Sequence, residues 1–112
     1  MLYLPKTGYR GAMIQWPKQD FAMDGEPMDF TGYSSSILQV LDASGNVVAT
    51  GTVVFSENED GDLDTASSYV PESASTALVE GTAYTYRELA ISGTRKHVLR
   101  HGPLYIAGAA TA

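Results

Sequence analysis

Short runs of β-branched and aromatic residues, repeatedly cut by Gly, Asn, Asp or Ser, do most to limit what this chain can fold into. The cuts recur near the roughly 8–12 residue spacing of β-sandwiches. No window holds a sustained 3.6-residue apolar repeat, so long amphipathic helices are excluded. The clearest piece is a hairpin. Along Ser36 to Leu41, Ile37, Gln39 and Leu41 fall on one face, and Leu38 and Val40 on the other. Asp42-Ala43-Ser44-Gly45-Asn46 is its connection, with Gly supplying the positive φ such turns need. Val47 to Phe55 answers as the return strand, with a bend expected at Gly51. Further strands are expected over Leu63 to Val70 and Thr82 to Ser92, then a last one broken at His101-Gly102-Pro103. One helical turn is expected near residues 73–78, a turn at Asp24-Gly25-Glu26-Pro27, and a frayed tail over residues 108–112. The expected core is Ile37, Val40 or Leu41, Val54, Phe55, Leu78, Tyr86, Leu89, Ile91, Leu99 and Ile106.

Composition narrows the function classes. The chain has 112 residues, a size suited to one domain. It has no Cys, which excludes a disulfide framework, a thiol nucleophile and a Cys-ligated zinc site. Seven Lys and Arg against 13 Asp and Glu leave a net charge of −6, a poor balance for binding nucleic acid. No apolar run approaches the roughly 18 residues of a membrane-spanning helix. The opening Met1-Leu2-Tyr3-Leu4-Pro5-Lys6 lacks a basic region followed by an apolar one, and no secretory signal is expected.

Residues 1–20 read as an extended arm preceding a β-sandwich over residues 21–112. Gly8 and Gly11 interrupt a ladder and Pro17 cannot donate to one. The arm nevertheless carries Tyr3, Tyr9 and Trp16, residue types that anchor interfaces. It is either an edge strand on its own core or a docking segment. Several aromatics left exposed in a free monomer forfeit much burial, so Tyr3, Tyr9 and Trp16 are expected to bind another chain. Arg95, Lys96 and Arg100 form a basic strand in an acidic protein. It is either a charged edge that discourages pairing or a second partner contact.

No constellation for catalysis stands out, and no enzymatic activity or cofactor is expected. There is no Gly-x-Ser-x-Gly elbow and no phosphate-binding glycine loop. His97 and His101 read as surface histidines on one strand face rather than as metal ligands. The loop from Glu57 to Asp64 holds five of the 13 acids. Framed as a calcium loop around Gly61, it has serine at both ends where the chemistry wants acids. It is expected to be exposed and metal-free.

Leu78-Val79-Glu80-Gly81-Thr82-Ala83-Tyr84-Thr85-Tyr86 resembles the tyrosine corner of immunoglobulin-like sandwiches, with either Tyr84 or Tyr86 in the corner. More broadly, residues 29–106 resemble the small immunoglobulin-like β-sandwich domains of tailed-bacteriophage virion proteins, including N-terminal domains of some baseplate proteins. The resemblance is carried by Asp29-Phe30-Thr31-Gly32-Tyr33, by the hairpin from Ile37 to Val48, by Ser75-Thr76-Ala77-Leu78 with Gly81, Tyr84 and Tyr86, and by Val98 to Ile106. It implies an all-β, immunoglobulin-like antiparallel sandwich. It also implies a structural role in the virion, as an adaptor or decoration module on head, neck or tail. The implied partners are further copies of the chain and larger virion proteins, with no nucleic acid or membrane contact. A carbohydrate-binding module, with Trp16 and Tyr residues as stacking platforms, is the other reading.

Overall fold

The computed structural model describes residues 2–23, 26, 27, 30–33, 35–57, 59, 61 and 63–107. The protein is all-β. Its strands are β1 (Leu2–Tyr3), β2 (Lys6–Tyr9), β3 (Ile14–Asp20), β4 (Ala22–Met23), β5 (Glu26–Pro27), β6 (Ser35–Leu41), β7 (Val47–Ser56), β8 (Thr65–Val70), β9 (Ala83–Ser92) and β10 (Arg95–Ala107). One helical turn, α1 (Glu72–Ser75), bridges β8 and β9, and a 3-10 turn spans Phe30–Gly32. The main sheet runs β1-β10-β9-β6-β7-β8-β3, with β2 also paired to β10. It curls until it nearly closes into a barrel. β4 and β5 form a separate ribbon. The expected turn residues Asp24 and Gly25, and the tail at 108–112, lie outside the described residues.

The curl has a local cause. The first half of β7 pairs with β6 and its second half with β8, so the strand changes partners at Gly51. A Cβ at Gly51 would sit 2.2 Å from the Tyr69 carbonyl oxygen and 2.9 Å from Leu38 Cδ2. Only glycine lets β8 and β6 approach β7 that closely.

Three expectations need correction. The sheet is mixed, because β1 and β2 run parallel to β10. Residues 2–20 are not an arm but contribute strands to the main sheet. β3 pairs antiparallel with β8 through Ile14 and Trp16, and the ladder shifts between Trp16 and Gln19, passing over Pro17. Pro17 lacks a donor at a place where none is demanded. The last strand is likewise continuous. Its register shifts between Val98 and His101, and Pro103 falls where β1 has ended and β2 has not begun.

The core comprises Trp16, Phe30, Leu38, Val40, Val53, Leu78, Tyr86, Leu99, Leu104 and Ile106 with their neighbours. Val40, Leu78, Tyr86, Leu99 and Ile106 were expected there. Val54 is instead exposed and Val53 buried, because Val53 stands opposite the buried Ser68. Ile37, Leu41 and Ile91 are only half-buried, and Phe55 packs partly buried against the core. Leu89 is 4% exposed yet stands outside the core cluster.

Candidate interaction face

Strand register sorts the residues of β6, β9 and β10 onto two faces. Ile37, Gln39 and Leu41 of β6 stand beside Leu89, Arg87 and Thr85 of β9. Those stand beside Val98, His101 and Pro103 of β10, and Tyr3 lies beside His101. Ser35, Ile91 and Lys96 continue the row at one end, and Tyr105 at the other. The core residues Leu38, Val40, Tyr84, Tyr86, Ala90 and Leu104 alternate with these, so this row is the outer face of the sheet. Leu89 is buried on that outer face, flanked by Ile37 and Val98. Tyr3 and Tyr105 are exposed. An open groove of about 440 Å³ lies here, lined by Tyr3, Leu41, Arg87, Val98, His101 and Pro103 among others.

The charged groups of the face, Arg87 and Lys96, are cationic and stand among the neutral Ser35, Gln39 and Thr85. Arg87 is exposed, and its Nε donates to Gln39 Oε1 at 2.7 Å. His101 meets the edge of Tyr3 at 5.4 Å between ring centroids. Lys96 is exposed beside Ile91. No Asp or Glu occupies an outward position of β6, β9 or β10 among the described residues.

Two expected site residues lie elsewhere. Trp16 is 1% exposed and packs against Tyr86 at 4.8 Å between ring centroids, in the chain's own core. It therefore offers no surface to a partner, and the carbohydrate reading loses the stacking platform it leaned on. Arg100 is 0% exposed. The register shift in β10 buries Leu99 and Arg100 in succession. Arg100 pairs with the equally buried Glu88 through Nε to Oε1 and through Nη2 to Oε2, the latter at 2.8 Å. Nη1 donates to the Pro17 carbonyl at 2.9 Å, and the Ser68 hydroxyl donates to Glu88 Oε2. The Phe21 ring lies 5.5 Å from the guanidinium carbon. This is an internal network tying β3, β8, β9 and β10, not a rim contact. Tyr3, Tyr9, Arg95 and Lys96 do lie on the surface.

The same shift parts the two histidines. His97 stands opposite the buried Ala90 with its ring against Tyr33 at 5.6 Å, whereas His101 is on the outer face. No group of three or more His, Asp or Glu able to hold a metal occurs among the described residues. In the acidic loop Glu57, Glu59 and Gly61 are exposed, while Asn58, Asp60 and Asp62 lie outside the described residues. Asp64 is 4% exposed, contrary to expectation, because its carbonyl accepts from the Phe21 N–H at 3.0 Å and its carboxylate from the Thr65 hydroxyl at 3.1 Å.

Of the two tyrosines, Tyr84 reaches back to the preceding turn, where its hydroxyl oxygen accepts from the Val79 N–H at 2.9 Å. Tyr86 instead donates to the Leu4 carbonyl, fastening the β1–β2 connection, and burial raises its phenol pKa. Lys6 lies 5.6 Å over the Trp16 ring, and its pKa is lowered, first by burial and then by Arg100. No protein-family model and no curated protein matches the chain.

Proposed function

We propose that the chain is an immunoglobulin-like β-sandwich acting as a non-enzymatic structural module of a tailed-phage virion. It is held there in several copies, with neighbouring proteins seated on the outer face of β6, β9 and β10. Strand order supports the fold. β1 and β2 with β10, β9 and β6 correspond to one sheet of such a sandwich, and the second half of β7 with β8 and β3 to the other. The Tyr84 hydroxyl reaching back to Val79 supports the crossover between the sheets. Resemblance over residues 29–106 supports the virion setting.

The observation that carries the interaction role is the outer face itself. A sheet face turned to water is ordinarily polar. Among the described residues this one carries Ile37, Leu41, Ile91, Val98, Tyr3 and Tyr105 around the buried Leu89, and its charged side chains are Arg87 and Lys96, in a chain of net charge −6. Contiguous apolar surface rimmed by one sign of charge marks a protein contact.

The test is particle composition. Virions banded from cells carrying a tagged copy of the gene should hold the chain at a fixed copy number, read by quantitative mass spectrometry. Leu41→Glu or Tyr105→Glu should remove it from particles while the urea midpoint stays near wild type. Recovery only in the particle-free fraction would refute the virion role.

A further inference from the structure

We infer that the groove beside Tyr3 receives the acidic β7–β8 connection of a second copy, so that the chain associates head to tail. This rests on the proposed multi-copy role and names the partner of the face described above. The groove combines apolar walls, Leu41, Val98 and Pro103, with two basic side chains, Arg87 and His101. The Gln39 contact holds the Arg87 guanidinium at the surface, where a fork of N–H donors suits a carboxylate. Symmetric packing of this face on itself would oppose Arg87 and Lys96 to the same cations, which is repulsive. The occupant is therefore acidic.

The chain carries a matching element. Glu57, Glu59, Asp60 and Asp62 crowd six positions of the β7–β8 connection, and Glu57 and Glu59 are exposed. Glu57 leaves β7 at the end far from the groove of its own molecule. Groove residue Leu41 pairs with Val47, at the opposite end of β7 from Ser56. At about 3.3 Å per residue the two ends stand roughly 30 Å apart. Beyond Gly51, β7 has also left the β6 ladder for β8. Contact between connection and groove is thus intermolecular. Because the groove and the connection are different surfaces, repetition of the contact in one direction builds a ring or a filament.

Sedimentation velocity of the purified full chain across protein concentration tests this. Association should weaken as salt shortens the Debye length from about 10 Å at 0.1 M towards 3 Å at 1 M. Arg87→Glu alone, and Glu57→Lys with Glu59→Lys, should each lower the association constant at least about tenfold. All these positions are exposed, and unchanged urea midpoints would establish that the variants fold. Mixing the two variants should restore association, since each then offers the charge the other's groove or connection lacks. A chain monomeric throughout, association indifferent to either variant, or a mixture that stays monomeric would overturn the inference. Binding of an acidic peptide by a chain that never self-associates would overturn the second copy as occupant. Particle composition tests the virion reading separately, so the two can fail independently.

Discussion

Replacing Glu88 with Ala should be among the most damaging single changes in this protein. Glu88 and Arg100 are both 0% exposed, and two N–H groups of the guanidinium meet the two carboxylate oxygens. The Ser68 hydroxyl and the Pro17 carbonyl complete the set. Taking two charges out of water is costly, and their mutual attraction roughly offsets that cost. Removing one partner leaves the other charge buried without compensation, at about 3–5 kcal/mol. A domain of this size has about 5–15 kcal/mol in total, so the loss is a large fraction. With a urea m-value of about 2 kcal/mol/M, the midpoint should fall by roughly 2 M. Arg100→Met should cost a similar amount. The double replacement Glu88→Ala with Arg100→Met should cost far less than the sum of these singles, because both desolvation penalties vanish together. A Glu88→Ala cost below about 1 kcal/mol, or a double variant equal to the sum of the singles, would refute the account of a compensated pair.

Three other outcomes follow from the geometry. Gly51→Ala should destabilise by about 1–3 kcal/mol or more in urea unfolding, since its Cβ meets the Tyr69 carbonyl and Leu38 at once. Tyr84→Phe should cost about 0.5–1.5 kcal/mol by removing the acceptor of the Val79 N–H, visible as a lowered melting temperature. Thermal unfolding across pH should show two limbs. Asp42 is held below its ordinary value of 3.8 chiefly by the Asn46 N–H and also by the Ser44 N–H, so its contribution is present above 3.8 and is lost as pH falls through the folded-state pKa. Tyr86 is raised above its ordinary 10.0 by burial, so its contribution is present below pH 10 and is lost as pH rises through the folded-state pKa. Asp42→Asn should flatten the first limb, and Tyr86→Phe the second.

The strands were largely legible because their punctuation is local. The hairpin around Gly45, the bend at Gly51 and the strand entering at Tyr84 each depend on residues a few positions apart. The N-terminal pairing was not, because it depends on positions far along the chain. Whether Pro17 breaks a strand is decided by the register of β8, and whether Pro103 does is decided by where β1 stops. The outer face was also hidden, for a different reason. Ile37, Leu41, Leu89 and Ile91 were expected in the core simply because they are apolar. The informative signal was that β6 is apolar on both faces of its alternation, and a strand in an open sheet needs only one such face for its core. The second face is the proposed partner surface.

Fold stability and the proposed partner surface share one irregularity. Between Val98 and His101, β10 advances by one residue more than β9. Bulges of this kind re-aim side chains. Here the extra residue turns Leu99 and Arg100 inward together, while Val98 and His101 both remain on the outer face. Regular alternation after Val98 would have put Arg100 on the outer face and His101 inside. The bulge thus withdraws one cation into the pair with Glu88 and sets His101 beside Tyr3, where the groove forms. Immediately beyond it, the Leu4 carbonyl lies over Gly102, where a Cβ would approach to 2.6 Å. That close approach lets β1 and β2 run along β10 and carries Tyr3 to the groove rim. The N-terminal strands are therefore bound to the site through the chain's own sheet. Their loss would remove the Tyr3 wall of the groove and the Trp16 contribution to the core in one step.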